Sequence, residues 1–276
     1  MKENRALLVY FEADIEKNRW FIDSLTQKAA ERGICLDLIT PMQAFDETDA
    51  VFAINRSRDE EVSRYFEGQG IKSFNNSETV RIGNDKFEEY SLFRELEMPV
   101  METVPGDTPE DEIPFAAPYI VKHRRGHGGN RVFKARKYED VREIIRGLNP
   151  SEWIIQKMCD TPGQDMRLYI MGGRVLASVL RTSKTDFRSN FSLGGEAVLV
   201  DPPEEAVNMA LKLSDYLLSD YIGVDFIKDH GKWIVNEVED AAGARMLYNL
   251  TDLDVAEMYI SHICEKSSQK LQNGIE

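Results

Sequence analysis

Three carboxylates near the C-terminus have a spacing that could do chemistry. In GVDFIKDHGKWIVNEVED, residues 223–240, Asp229, His230 and Gly231 are turn residues between two apolar runs, the pattern of a β-hairpin. With residues 230–232 as the loop, paired positions sum to a constant, and Asp225 falls opposite Glu237 on one face. Glu239 shares that face ~7 Å further along, because alternate side chains of a strand point the same way. Val224, Phe226, Ile234 and Val238 are expected to bury the other face. Hard carboxylate oxygens suit Mg²⁺, which keeps part of its water and shares substrate phosphates. Like charges this close repel, so the cluster is costly unless cations neutralise it. A row of solvated edge carboxylates would have the same sequence.

Two other stretches could meet a polyanion. YIVKHRRGHGGN, 119–130, sets Lys122 at the end of an apolar run and Gly126, Gly128 and Gly129 just beyond it. Glycines can turn backbone N–H groups toward phosphate oxygens with no Cβ in the way, while a lysine supplies charge. The loop lacks the Gly-Lys-Ser/Thr ending of a P-loop, and an ordinary glycine-rich hairpin loop fits it too; His123, Arg124 and Arg125 read as solvated charges. TDFRSNFSLGGE, 185–196, puts Arg188 and Asn190 beside Gly194-Gly195, seven residues after Arg181. It is too poor in apolar residues for a core strand and too irregular for an exposed helix. A lysine with a glycine loop and a magnesium-type carboxylate group together imply a nucleoside triphosphate.

The elements that must position these residues form an α/β segment followed by α+β segments. Up to about residue 75, ALLVYF, ICLDLI, AVFAI and IKSF alternate with helical runs, one carrying Phe21, Leu25 and Ala29 on a stripe. This order implies a small parallel sheet, and no glycine fingerprint follows the first strand to support a dinucleotide site. A helical stretch from Ser77 to Glu97 carries Lys86. The acidic, proline-containing EDEIPFAAP then leads to YIVKH, RVFKA, a helix near 138–147 and EWIIQK. A last set comprises MRLYIM, RVLASVLR, a helix over 203–219, the hairpin and a final helix over about 254–272. The expected divisions are 1–76, 77–155 and 156–276.

Composition narrows the partners. The formal charge of −14 repels nucleic acid and anionic membrane unless basic groups gather locally. Cys35, Cys159 and Cys264 form no CxxC pair, as in a protein of a reducing cytoplasm, and ALLVYF is too short and too closely followed by acids for a signal peptide or membrane span. The four histidines show no metal spacing.

The order of Lys86, PYIVK, the glycine loop, IIQKMCDTPGQDMRLYIMGGRVLASVLR, DFRSN, GVDF and NEVED resembles the ATP-grasp superfamily, closest to its ribosomal-protein-modifying, RimK-type glutamate ligases. The resemblance spans about residues 77–265, with a looser likeness of the first lobe to the small domain that precedes the ATP-grasp core. It implies ATP between two α+β lobes, with Lys86, Lys122 and the loop glycines Gly126, Gly128 and Gly129 at the phosphates. Adenine would sit at Gln156, Lys157, Met158 and Cys159, recognised by the backbone of the last three, with Asp165 near the ribose. Arg188, Ser189 and Asn190 would lie over the triphosphate, Arg181 and Arg188 would balance charge on phosphate and the reacting carboxylate, and Asp225, Glu237 and Glu239 would hold two Mg²⁺, for which Mn²⁺ could substitute.

The chain departs from that family in three places. Lys157 stands where the hinge usually has an acid, Glu237-x-Glu239 replaces Glu-x-Asn, and EDAAGARML replaces an Asn-x-Pro-Gly loop on the acceptor side, so glutamate specificity does not carry over. The expected activity is ATP-dependent joining of an amino acid, peptide or other carboxylate to an amine through an acyl phosphate, with Lys122, Arg181 and Arg188 as catalytic groups and a homodimer as the implied assembly. A small-molecule kinase or an ATP-binding regulatory module would use the same apparatus. Cys159, with no paired base, reads as a packing residue rather than a thioester nucleophile.

Overall fold

The computed structural model describes residues 4–129, 131–184, 186–188 and 195–273, with backbone alone over 268–273. The N-terminal lobe runs β1 (Asn4–Val9), α1 (Glu12–Ala30), β2 (Ile34–Ile39), α2 (Pro41–Ala44), β3 (Ala53–Asn55), α3 (Glu60–Gly68) and β4 (Ser73–Phe74). Its four strands pair in parallel in the order β2-β1-β3-β4. The stripe read from the sequence is the buried face of α1, which carries Phe21, Ile22, Leu25 and Ala29. Val62 and Phe66 of α3 cover the opposite face of the sheet with Leu7 and Val9.

The helical stretch that follows is broken into α4 (Ser77–Gly83) and α5 (Lys86–Glu95). Asn84 ends the first and Asp85 starts the second, its carboxylate accepting the Phe87 amide at 3.1 Å. Arg124, expected to be solvated, instead donates to both oxygens of Asp85 at 2.9 Å, and the Lys86 amide donates to the Arg124 carbonyl. The start of α5 is therefore pinned to the end of the glycine-loop strand.

The central sheet contains β5 (Thr103–Pro105), β6 (Tyr119–His123), β7 (Val132–Ala135) and β8 (Trp153–Lys157), antiparallel in the order β5-β8-β6-β7, with α6 (Tyr138–Ile144) packed on it. The third sheet contains β9 (Gln164–Met171), β10 (Arg174–Thr182), β11 (Glu196–Leu199), β12 (Tyr221–Asp229) and β13 (Lys232–Glu239), antiparallel in the order β11-β10-β9-β12-β13. Helix α7 (Glu204–Tyr216) covers one face of it. So do α4 and α5: Ile82, Tyr90, Leu92 and Phe93 share a core with Met166, Leu168, Val224 and Phe226. These helices pack on the C-terminal sheet, although in sequence they lead into the central one. Helices α8 (Arg245–Leu250) and α9 (Val255–Asn273) end the chain, and Tyr259, Ile260 and Ile263 of α9 join the α1 stripe in one core.

The β12–β13 turn differs from the expected three-residue loop. Asp229 pairs with Lys232, leaving His230 and Gly231, with φ of 46° and 77°, as a two-residue turn of the primed kind that matches strand twist. From that turn alone Asp225 would face Asn236. A bulge restores the expected partner: Phe226 pairs with Val235 but Asp225 pairs with Glu237, so Asn236 is the extra residue. The same bulge shifts the phase nearer the turn, and Val235 rather than Ile234 enters the core.

Candidate active site

Alternation along the third sheet separates its two faces. On β9, Met166, Leu168 and Ile170 enter the core beneath α7, while Asp165 and Arg167 face the other way. Register then aligns charge across strands: Arg181 of β10 lies opposite Asp165, and Arg167 lies opposite Asp225, whose other neighbour is Glu237. Arg181 donates to both oxygens of Asp165 at 2.6 Å and to Asp225 Oδ2 at 2.7 Å. Arg167 clasps Asp225 at 2.6 and 2.7 Å and reaches Glu239 with its other terminal nitrogen. Gly223 leaves room for this reach, since a Cβ there would lie 3.2 Å from Arg167 Cδ and push it aside by a few tenths of an ångström.

These groups line a cavity of about 480 Å³ bounded by the central and C-terminal sheets and by α1 and the residues after β1 and β3 of the N-terminal lobe, within the range of small-molecule sites. Lys86, 6% exposed at the first turn of α5, donates to Glu237 Oε1 at 2.9 Å and to the Gly126 carbonyl at 2.7 Å. Lys122 on β6 donates to Tyr90 Oη at 3.1 Å and to Asn236 Oδ1 at 3.3 Å, the bulged residue of β13. Glu89, one turn after Lys86, accepts the Val238 amide at 2.6 Å and so ties α5 to the carboxylate strand.

The electrostatics follow from burial and pairing. Burial opposes ionisation of Asp225, but Arg167 and Arg181 outweigh it and hold its pKa at about 2. Glu237 is also lowered: burial pushes it up, and the Lys86 charge overcomes that. Glu89 is raised well above the carboxylate range, first by burial and then by Glu237. The expected cluster is therefore not bare. Side-chain cations already neutralise it, and the case for a metal rests on the oxygen donors themselves. Those donors fit Mg²⁺: Asp225 accepts three bonds where a carboxylate has about four lone-pair sites, and Glu237 accepts one, from Lys86.

Lys122 is lowered to about 8, chiefly by burial, with Lys86 acting the same way and Glu237 and Glu89 opposing. A bound triphosphate would favour its charged form. Near pH 8 nucleotide binding is thus expected to take up about half a proton per site, and progressively less as the pH falls below 7, where Lys122 is already charged. Calorimetry in two buffers of different ionisation enthalpy measures this; identical binding enthalpies at pH 8 would remove Lys122 from the phosphates.

The remaining expected residues fall into three groups. Gln156, Lys157, Met158 and Cys159 line the cavity, but the Lys157 and Met158 amides donate to the carbonyls of Glu102 and Pro118, and Gln156 Nε2 donates to Thr103. Among the described residues the Cys159 amide makes no hydrogen bond. Gly128 and Gly129 have φ of 62° and 75° in the glycine loop, and the Gly129 carbonyl accepts Arg188 Nη1 at 2.9 Å. Arg188 thus bridges its own segment to that loop while pairing with Asp186. Gly163 anchors the segment: its amide donates to the Phe187 carbonyl, and a Cβ would lie 2.8 Å from the Asp186 carbonyl. Ser189, Asn190 and Gly194 lie outside the described residues.

Sequence reading missed several residues of the cavity wall, Arg167, Asn236, His127, Arg56 and Asp240, and with them Glu89, which ties α5 to β13 without lining the cavity. The arithmetic applied to the last hairpin, used on β9 and β10 about the Gly172-Gly173 turn, would have placed Arg181 opposite Gln164, one residue from its partner; a bulge at Leu176 shifts the register and brings Arg181 opposite Asp165. His127 had no such signal. It lies in the glycine loop at the cavity, held at about pKa 4 by burial and by Arg58 and Lys86, and so is neutral near pH 7.

The model of the RimK-like ATP-grasp domain matches residues 105–263, more than half of the chain. The chain belongs to the RimK-like ATP-grasp family. A probable alpha-L-glutamate ligase of Xanthomonas oryzae pv. oryzae is 30% identical over 73% of this chain and 72% of its own length. An uncharacterized protein of Mycoplasma pneumoniae is 28% identical over 94% of this chain and 92% of its own. Among solved structures, the D-alanine–D-alanine ligase of Bacillus anthracis with ATP superposes with a TM-score of 0.78 over 98% of this chain and 99% of that one, at 16% identity. The likeness of fold to that ligase therefore includes the N-terminal lobe, which the family model does not cover. Among the described residues no helix is long and apolar enough to cross a membrane.

Proposed function

We infer that this chain, an ATP-dependent carboxylate–amine ligase of the ATP-grasp class, works through an acyl phosphate and acts on an amino acid or peptide carboxylate. One observation carries this reading: Lys86, Lys122, the glycine loop and three carboxylates of one hairpin converge on a single cavity. The names of its relatives, a probable glutamate ligase and a D-alanine–D-alanine ligase, support an amino-acid substrate without fixing which one.

Asp225, Glu237 and Glu239 would hold Mg²⁺, which when bound neutralises phosphate oxygens and makes ADP a better leaving group. Lys86 and Lys122 would meet the β- and γ-phosphates, exchanging their present carbonyl, hydroxyl and amide partners for charge-assisted bonds. A substrate carboxylate oxygen attacks the γ-phosphorus as the bond to ADP breaks, giving the acyl phosphate. The amine nitrogen then adds to the acyl carbon, loses a proton, and phosphate leaves as the amide forms. No protein nucleophile takes part; alignment and preorganised charge lower both barriers. Arg181 and Arg167 would act mainly by keeping Asp225 ionised and fixed. Arg188, already bonded to the glycine loop, would close that loop over the phosphates and exclude water.

Hydroxylamine tests the reading. With ATP, Mg²⁺ and pooled amino acids and peptides, the protein is expected to release ADP and trap a hydroxamate of one carboxylate substrate. A stable phosphorylated product would instead identify a kinase, and nucleotide binding with no substrate-dependent ADP release would identify a regulatory module.

A further inference from the structure

The cavity wall between the N-terminal lobe and the loop after β13 holds a buried cation that the nucleotide chemistry does not use. Arg56 follows β3 and is 6% exposed. Its Nε donates to Tyr10 Oη at 2.7 Å, and Nη2 donates to the carbonyls of Ala241 and Ala242 at 3.1 and 2.8 Å. The guanidinium carbon lies 5.9 and 5.3 Å from the ring centres of Tyr10 and Phe21. All of these partners are neutral. Among the described residues Nη1 has no hydrogen-bond partner and Arg56 forms no ion pair, yet the residue lines the cavity. A cation withdrawn from water with no counter-ion is costly. One that is clamped by rings and backbone, with one donor uncommitted, is preorganised for an anion.

Asp240 supplies the complement. It is 3% exposed on the same cavity; Asn84 donates to its Oδ1 at 3.0 Å, and its Oδ2 has no partner among the described residues. A ligand carrying both an anionic and a cationic group would satisfy both walls.

We propose that Arg56 anchors a free carboxylate of an amino-acid substrate, one that the reaction does not consume, with Asp240 on the side of its ammonium group. The inference deepens the ligase reading and rests on it for the identity of the pocket as a substrate site. Arg56 binds the loop after β13, at Ala241 and Ala242, whereas Lys86 binds the glycine loop at Gly126, so Arg56 is assigned a carboxylate other than the one that is activated. The amide product accordingly keeps a carboxylate at this end.

The test is binding of each common amino acid, in L and D form, and of its C-terminal amide, to the protein loaded with Mg²⁺ and the non-hydrolysable ATP analogue AMP-PNP, by calorimetry. At least one free amino acid is expected to bind, and its amide to bind about 30-fold or more weakly, the usual effect of losing a charge-assisted bond to a buried arginine. Arg56→Gln is expected to lower affinity for the free acid to that for the amide, with AMP-PNP affinity kept and Arg56→Lys intermediate. Equal binding of acid and amide by the wild type would overturn the proposal, as would binding of AMP-PNP but of no amino acid; the wild-type comparison stands even if the variants misfold. Equal binding of acid and amide by a protein that still forms a hydroxamate would overturn it while sparing the ligase reading. Arg56-dependent amino-acid binding with no hydroxamate or ADP would uphold the subsite and sink the ligase reading instead.

Discussion

Glu237→Gln is expected to lower magnesium-dependent ADP formation by about 10³-fold or more while the protein stays folded. Glu237 differs from its two neighbours in how much of it is committed. Asp225 has both oxygens clasped by Arg167 and Arg181, and Glu239 is paired with Arg167, whereas Glu237 accepts one bond, from Lys86. It is the carboxylate best able to give an oxygen to a metal. The substitution keeps the shape and an acceptor for Lys86, and removes the charge. Far-UV circular dichroism and metal-free nucleotide binding should therefore change little. Turnover within tenfold of wild type would show that the hairpin carboxylates do not hold the catalytic metal.

Arg167→Met should act in the opposite way, on stability first. Removing one partner of a buried ion pair leaves the other charge uncompensated, at a cost of about 3–5 kcal/mol. Here Asp225 is 3% exposed and Arg167 serves both it and Glu239, so the upper part of that range applies. For a chain of this size the midpoint of thermal unfolding should fall by roughly 10 °C. The loss has a pH signature. Asp225, at about 2 with its arginines, lies below the usual carboxylate value, so the stability it contributes is present above about pH 4 and fades as the pH falls toward 2. The variant should lose much of that dependence. Added Mg²⁺ should raise the midpoint of the variant more than that of wild type, since a cation beside Asp225 stands in for the lost guanidinium. A midpoint unchanged by the substitution would mean that Arg167 is not the counter-ion of Asp225.

Much of the site was legible before any coordinate. The hairpin arithmetic brought Asp225 opposite Glu237 from strand periodicity alone, and it did so through two departures that cancel. The turn is one residue shorter than expected and the bulge at Asn236 is one residue longer. Periodicity sees only the sum of such steps. Ile234 exposes the difference, because between turn and bulge the phase is shifted and Val235 takes its place in the core. Arg124 is a second case. As one of three consecutive basic residues it reads as solvated charge, and its role at Asp85 depends on a helix start that is 39 residues away in sequence.

Local patterning was enough for the parallel N-terminal sheet, the order of strands and helices, and the carboxylate face of the last hairpin, since each depends on contacts between residues near in sequence or on the two-residue repeat of a strand. Which cations answer those carboxylates was decided by tertiary structure. Arg167 and Arg181 reach Asp225 across 58 and 44 residues, Lys86 reaches Glu237 across 151, and Arg56 reaches Ala242 across 186. No local rule pairs charges at such separations. They meet because three lobes, each built on its own sheet, pack around one cavity, and burial there strengthens the pairing of the charges that the packing brings together.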